Sequence, residues 1–388
     1  MRVLIHTGNS YPNGGPAANR LRVFEQVLTE HGHEVVVLAP YNDIGDEKSK
    51  NVYYCPTVKL KNKTSVRRLF NQLIFAFTSI FVSLRTGKSD IVFTTSPPAL
   101  IVISGFIISK IKKAKLVYDV RDIWPDVAWE MEKLSENGFA SKIFEVIRDF
   151  MLKKSDMVTT VSPGKVKKLR EYAPKARVRF ITNGLDERFL ENSFQSEIAD
   201  KYGFEKTFSC VYIGNLGWAQ GLTQLLYVAK RAKENALEAK FYLFGKGIEE
   251  DSLKSFAKEH ELDNVIFAGR LKNSSMYTVL KCADLSFVSL VNENLKDSVP
   301  TKLYEALGVG CPVLLASAGD SADVLAECGL GVSVRPNDNE AIWEAFKEIY
   351  ENRNMFDDKK EHARNVILSK YSRRKASEIL ERELSEIL

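Results

Sequence analysis

The chain has 388 residues, 45% of them hydrophobic and 27% charged. This is ordinary soluble-globular composition, and it excludes collagen-like, disordered and disulfide-scaffold classes. The net charge of +5 hides a division: residues 1–184 carry 29 Lys and Arg against 17 Asp and Glu, a net of +12, and the remainder 26 against 33, a net of −7. At about 150 residues per domain, two domains are favoured over one, and halves of opposite charge are expected to face different partners.

From the N-terminus, short β-branched runs alternate with longer helical patterns, the signature of parallel α/β units. The first half is predicted to hold strands at 2–6, 34–39, 91–94, 116–119, 157–161 and 178–181, with helices at 17–31 and 139–153 among them. After a polar segment at 184–206 the pattern restarts. Strands are predicted at 208–212, 240–244, 265–268, 285–288, 312–315 and 331–334, and helices at 222–235, 249–259, 274–282 and 302–309. The stretch 339–388 reads as helical and charge-laced. Two doubly wound sheets in tandem follow, without a detectable internal repeat, and ligands of such sheets bind at the carboxyl ends of the strands.

The five cysteines, Cys55, Cys210, Cys282, Cys311 and Cys328, form no C-x-x-C pair, which fits buried thiols in a reducing compartment. The histidines form no H-x-x-x-H or H-E-x-x-H set, and the apolar run at the N-terminus is too short for a signal peptide. A cytoplasmic location is expected.

Between Lys48 and Tyr118 there are 13 basic residues and one acid, Asp90. Such a face suits nucleic acid, an anionic membrane or an anionic substrate, or is a solvated lysine-rich surface. Inside it, Leu69 to Leu84 is an uncharged run of 16 residues. As a helix it is roughly 24 Å long, short of the ~20 residues that span a bilayer. Flanked by Lys59, Lys61, Lys63, Arg67 and Arg68 on one side and Arg85 and Lys88 on the other, it has the make-up of a helix lying in an anionic leaflet. It also has the make-up of a core helix with solvated ends. Nucleic acid is disfavoured, because the basic run is interleaved with aliphatics and lacks a reading motif.

Four motifs stand at predicted strand ends. The first, YPNGGPAANR at 11–20, places Gly14, Gly15 and Asn19 between a strand and a helix. Its glycines let a backbone approach a ligand at a helix N-terminus, or simply make the turn. The second, YDVRDIWPD at 118–126, puts Asp119, Arg121 and Asp122 at a strand's carboxyl edge. They are placed to bind hydroxyls, orient a nucleophile or take its proton, or to form a buried Asp–Arg pair. The third, YIGNLGWAQG at 212–221, frees the backbone at Gly214, with Asn215 and Gln220 in the turn. Gly245-Lys246-Gly247 and Gly269-Arg270 close the next two strands, and Lys246 and Arg270 bring positive charge into an acidic half. The fourth runs DSVPTKLYEALGVGCPV from Asp297 to Val313. Ser298, Pro300 and Thr301 precede or open a helix with free N–H groups, and Lys302 adds a point charge for phosphate. Glu305 lies one turn in, where a carboxylate takes both hydroxyls of a ribose; an ordinary capped helix is the alternative.

In combination and order, Gly14-Gly15, HGHEVVVL at 31–38, TNGLD at 182–186, the 214–221 turn, Gly245-Lys246-Gly247 and the 297–305 segment resemble the retaining glycosyltransferases of family 4. The resemblance covers nearly the whole chain. The 119–126 stretch with PTKLYE at 300–305 looks like a bacterial subgroup that includes L-fucosamine-type transferases of O-antigen and capsule assembly. It implies the GT-B fold, two Rossmann-like domains facing a central cleft. An acceptor domain at 1–184 would carry the basic membrane-facing region 48–118. A nucleotide-sugar domain would span 185–371, and a helix at 372–388 would cross back. It implies that Glu305 holds the ribose, that Thr301 and Lys302 meet the diphosphate, that Gly269-Arg270 lies near the base, and that Gly14-Gly15 sits over the reacting centre.

Three departures from the family pattern stand out. Asp297 stands where a glutamate is common, Asn215 and Gln220 stand where Arg and Lys clamp phosphate, and Arg121-Asp122 stands where a histidine precedes the aspartate. Arg270, Lys246 or Lys302 would supply the missing cation. No two aspartates are separated by one residue, so no D-x-D metal clamp and no cofactor are expected; cations and helix N-termini would carry the leaving group's charge.

The resulting expectation is a retaining, metal-independent transferase. It would move a hexose or N-acetylaminosugar from a UDP-sugar to a polyprenyl-diphosphate-linked saccharide, in lipopolysaccharide or capsule assembly. It would sit peripherally on the inner face of the plasma membrane. Asp122, Arg121 and Asp297 are the expected catalytic residues. Glu305, Lys302, Thr301, Pro300, Ser298, Arg270, Gly245, Lys246, Gly214, Asn215 and Gln220 are expected to bind donor, and Gly14, Gly15, Asn19 and Asp119 to bind acceptor. A UDP-sugar 2-epimerase and a non-catalytic basic membrane-associated scaffold are the alternatives.

Overall fold

Buried strands flanked by amphipathic helices build two α/β units in the computed structural model, which describes residues 1–12, 15–41, 50–58, 65–131 and 134–388. One unit is Met1–Asn183 with Arg373–Leu388, the other Gly184–Ser372. Gly14 and the lysines at 48, 59, 61 and 63 lie outside the described residues.

The first unit runs β1 (Arg2–His6), α1 (Pro16–Glu30), β2 (Glu34–Pro40), β3 (Val52–Cys55), α2 (Ser65–Ser83), β4 (Ile91–Ser96), α3 (Val102–Lys112), β5 (Lys115–Val120), α4 (Asp126–Glu130), α5 (Phe139–Lys154), β6 (Met157–Thr160), α6 (Pro163–Tyr172) and β7 (Val178–Phe180). Its seven strands are parallel in the order β3-β2-β1-β4-β5-β6-β7. Side chains alternate between the faces of a strand, so β1 feeds two cores. Val3 and Ile5 pack with Phe24 and Leu28 of α1, while Leu4 packs with Phe75 of α2 and Ile108 of α3. Pro16 opens α1 at a position where its missing N–H costs nothing.

The second unit runs α7 (Ser196–Tyr202), β8 (Phe208–Ile213), α8 (Thr223–Glu234), β9 (Ala239–Phe244), α9 (Glu250–Glu259), β10 (Val265–Gly269), α10 (Asn273–Cys282), β11 (Leu285–Ser289), α11 (Thr301–Val309), β12 (Val313–Ala316), α12 (Asp320–Cys328), β13 (Gly331–Val334), α13 (Asn339–Glu351) and α14 (Lys360–Lys370). Its six parallel strands are ordered β10-β9-β8-β11-β12-β13. Phe208, Phe241, Phe287 and Phe346 lie in one core.

The last helix, α15 (Arg373–Ser385), belongs to the first unit. Ala376, Leu380 and Leu384, spaced four apart, enter the core that holds Phe24 and Leu28. Polar contacts rim this seam. Glu381 meets His31 and His33 at 2.5 and 2.9 Å, Glu383 meets Arg179 at 2.6 Å, and Arg374 meets Glu30 at 2.9 Å.

Two departures from the expected elements stand out. Strand β3 has four residues at the sheet edge, paired with β2, and so short a run gives little alternation to read. The stretch expected to be helical from 339 onward breaks into α13, α14 and α15, split between the two units.

Candidate functional site

In each sheet the strand order reverses at one place, between β1 and β4 in the first unit and between β8 and β11 in the second. Such switch points open a crevice outside the carboxyl ends of the strands.

In the second unit, the glycine turns after β8, β9 and β10 are laced together by backbone. Gly214 N donates to Phe244 O at 2.8 Å, Leu216 N to Lys246 O at 3.1 Å, and Gly245 N to Gly269 O at 2.8 Å. Gly245 has φ +154, and a Cβ there would stand 1.7 Å from the Gly214 carbonyl. Only glycine permits that approach. The turn is closed on the β11 side by Ser289 Oγ, which donates to Gln220 O at 2.5 Å.

Helix α11 points its N-terminus at the same edge, with Pro300 as its cap and Thr301 first. Lys302 reaches across to the β8 turn. Its Nζ donates to Tyr212 Oη at 2.7 Å and to Gln220 Oε1 at 2.6 Å, and stands 4.0 Å from the Tyr212 ring centroid. Tyr212 Oη in turn donates to Asn215 O at 2.7 Å. Burial of the amine, only partly offset by the Glu305 carboxylate, pulls the Lys302 pKa down to about 7. Tyr212, Asn215, Gln220 and Lys302 are therefore one bonded cluster, with Gly214 packed close to the lysine and Gly245 and Lys246 laced to the turn. Glu305 is partly buried one turn further along α11, and Lys246 and Arg270 are exposed. Ser298 O accepts a 2.6 Å bond from Ser321 Oγ of α12, which ties the loop that carries Asp297 and Ser298 to the sheet.

In the first unit, Arg121 and Asp122 follow β5, both partly buried. Arg121 donates to Thr95 Oγ1 at 3.2 Å and to Pro97 O at 2.9 Å, and Asn9 Nδ2 reaches the same carbonyl at 3.4 Å. The ends of β1, β4 and β5 thus converge on Pro97. Asn19 is partly buried on α1, and Gly15 is exposed at its cap with φ +80.

Asp119 does not join that edge as a ligand-facing group. It is 0% exposed and accepts from Arg20 at 2.8 and 3.2 Å, Thr95 Oγ1 at 2.8 Å and Thr159 Oγ1 at 2.7 Å. With four donors on two oxygens it cannot also hold an acceptor hydroxyl. A buried Asp–Arg pair does exist, and its arginine is Arg20. Burial opposes ionisation of Asp119, yet the Arg20 guanidinium and the hydrogen bonds hold its pKa below the usual range. Asp126 is likewise buried, against Arg148 at 2.9 Å and Lys168 at 3.0 Å.

The whole fold matches solved glycosyltransferase structures. Sucrose-phosphate synthase of Thermosynechococcus elongatus superposes with a TM-score of 0.84 at 15% identity, covering 100% of this chain and 99% of that one. Anabaena HepE in complex with UDP-glucose gives 0.76 at 14%, with 100% of both chains covered. A glycosyl transferase 4-like domain matches residues 14–184, and the glycosyl transferases group 1 model matches 194–366. The chain belongs to the GT-B glycosyltransferases.

Two curated proteins are similar over most of the chain. "Probable glycosyltransferase WbjE" of Pseudomonas aeruginosa is 23% identical over 293 residues, 73% of this chain and 71% of its own length. WcaI of Escherichia coli K12, named as a colanic acid biosynthesis glycosyl transferase, is 24% identical over 372 residues, 88% and 90% of the two chains.

Three features of this glycosyltransferase carried little sequence signal. Tyr212, the hub between Lys302 and Asn215, reads as one more apolar strand residue, and its polar role appears only once Lys302 is across from it. Arg20 lies 99 positions from Asp119. The third is α2. Its buried side, Phe75, Ser79 and Ser83, recurs every fourth residue. Phe75 stacks on the His6 ring at 5.3 Å and Ser79 Oγ bonds His6 Nε2 at 3.1 Å. Burial of His6 pulls its pKa down to about 3, so the ring is neutral. The opposite side leaves Phe70, Leu73, Phe77, Phe81 and Leu84 exposed, Phe77 by 63%. Leu69–Thr86 is the one described stretch long and apolar enough to cross a membrane by length and composition.

Proposed function

We propose that this glycosyltransferase moves a hexose or N-acetylaminosugar from a UDP-sugar to a hydroxyl of a lipid-linked saccharide, with retention at the anomeric carbon, in surface-polysaccharide assembly. The observation that carries the reading is the cluster of Lys302, Tyr212, Gln220 and Gly214 at the β8–β11 switch point, beside the N-terminus of α11. It joins close backbone approach, a helix N-terminus and a lysine amine, which together suit a diphosphate. Glu305, one turn further, is the ribose ligand. HepE, with the same fold, binds UDP-glucose, and WcaI is named for a surface polysaccharide.

In the reaction the acceptor oxygen bonds the anomeric carbon as the bond to the donor phosphate breaks. The acceptor proton passes to the departing phosphate on the same face, and UDP leaves. Lys302 and the helix N-terminus stabilise the charge that develops on the phosphate. Arg121 is fixed by Thr95 and Pro97 and sits beside Asp122, which orients the acceptor or stabilises positive charge at the anomeric carbon. Asp297 contacts the transferred sugar with a shorter arm than glutamate. Cations carry the leaving charge without a metal.

The exposed apolar side of α2, with Arg67, Arg85 and Lys88 on the same element and its end, supports a peripheral seat on an anionic membrane. Because Phe75 and Ser79 fasten the other side of the helix to His6, the helix lies in the interface and does not span it.

The reading is tested with purified protein in detergent and a panel of UDP-, GDP- and dTDP-sugars, scored for nucleotide release with and without a polyprenyl-diphosphate-linked saccharide. Release from one UDP-sugar that the acceptor stimulates is the expected result. An epimerised nucleotide sugar formed without acceptor would overturn it.

A further inference from the structure

The donor-site cluster has one property that a standing phosphate clamp does not need. The two partners of Lys302 Nζ are both uncharged acceptors. Tyr212 Oη spends its own hydrogen on Asn215 O, so it accepts from the lysine, and Gln220 offers a carbonyl-type oxygen. A neutral amine has two N–H groups, and these two acceptors use both. An ammonium has three.

We propose that Lys302 stands in the empty site as a neutral amine and takes one proton from solvent when the diphosphate of a nucleotide binds beside it. The inference rests on the nucleotide-site reading above and deepens it. Charge is then created at the phosphate only when the phosphate is there, and an unpaired buried cation, costly in the empty site, is avoided.

The surroundings favour this. From β8 the lysine meets the Tyr212 phenol, whose own ionisation burial pushes far above neutrality. From the following turn it meets Gln220, which is uncharged, and a Cβ on Gly214 would stand 3.0 Å from its Nζ. From β11, Ser289 closes the turn without charge. The charge that acts on it comes from Glu305 of its own helix, and this does not outweigh burial, which leaves the amine at about 7. A diphosphate within contact distance adds two or more negative charges and raises it again. Asn215 and Gln220 are both uncharged, and Gln220 Oε1 and Tyr212 Oη receive the two N–H groups of the neutral amine.

The test is calorimetric titration of UDP into the intact protein at pH 8, repeated in buffers of different ionisation enthalpy, which counts protons taken up per UDP bound. An amine of pKa about 7 is roughly nine-tenths neutral at pH 8, so uptake close to one proton is expected. UDP is fully ionised there and contributes none. Lys302→Arg, whose guanidinium stays charged, is expected to bind UDP with uptake near zero, and uridine alone to bind wild type with none. Equal, near-zero uptake by wild type and Lys302→Arg would overturn the proposal and leave the nucleotide site standing. Failure of wild type to bind UDP at all would overturn the site reading and the proposal with it.

Discussion

Arg20 of α1 and Asp119 at the end of β5 are joined by hydrogen bonds of 2.8 and 3.2 Å, with both side chains buried. The pair clamps a helix to the centre of the first sheet, and Arg20 also bonds Ile181 O at 3.2 Å. Removing one partner leaves the other buried and uncompensated, so Asp119→Ala is expected to cost about 3–5 kcal/mol of stability. Denaturant unfolding measures it. The folded Asp119 pKa is depressed, so its contribution is complete above the unfolded value near pH 4 and is lost as pH falls below it. An Asp119→Ala protein of unchanged stability with a raised acceptor KM would restore Asp119 to the acceptor site.

The seam of α15 makes a second expectation. Leu380 and Leu384 are buried in the same core as Phe24 and Leu28, so Leu380→Ala or Leu384→Ala is expected to cost about 2–5 kcal/mol each. Glu383→Ala, at the partly exposed rim, is expected to cost about 1 kcal/mol or less. Burial disfavours the Glu381 carboxylate, but hydrogen bonds from His31 and His33 win and lower its pKa. Its share of stability is therefore present above about pH 4 and disappears in acid. Unfolding curves at pH 7 and at progressively lower pH for wild type and Glu381→Gln, with the gap between them closing as the pH falls, check this.

The α2 face is read out by sedimentation with anionic liposomes. Replacing Phe70, Phe77 and Phe81 with Ser removes three exposed rings, each contributing about 1.5–3 kcal/mol when buried in an apolar phase. Binding is expected to fall at least tenfold, with the melting temperature unchanged because these rings are solvated already. Raised salt is expected to weaken wild-type binding, since exposed cations are screened over about 10 Å at 0.1 M. Equal sedimentation of wild type and variant would refute the membrane role of this face.

The periodicity of the strands made most of both sheets legible, because parallel strands buried on both faces are nearly continuous apolar runs, as in VVVLA after Glu34. The carboxyl edge of the second sheet was legible for a related reason: glycines that must approach other backbones, such as Gly245 against Gly214, have no substitute and mark the strand ends. The first unit's edge was less so. YDVRD presents three charged side chains in five residues, and sequence alone does not say that Asp119 points into the sheet toward Arg20 while Asp122 stays only partly buried. Strand parity is the missing information: Asp119 pairs in register with Thr95 and Thr159 inside the ladder, and Asp122 lies beyond its end. The exposed side of α2 was hidden for the opposite reason, because composition shows how apolar a helix is but not which side has a partner.

Metal independence is checked by chelation. After EDTA treatment, turnover is expected to stay within about twofold of the untreated enzyme, because the charge of the leaving group is met by side chains and N–H groups. A loss beyond about tenfold that Mg²⁺ or Mn²⁺ restores would show that a cation takes part.

The most direct measurement is calorimetric titration of UDP into wild type and Glu305→Ala. A carboxylate that holds both ribose hydroxyls contributes about 1.5–3 kcal/mol through charge-assisted bonds, so the variant is expected to bind UDP about ten- to a hundredfold more weakly while folding normally. Undiminished UDP affinity in Glu305→Ala would contradict the placement of the nucleotide at the carboxyl edge of the second sheet.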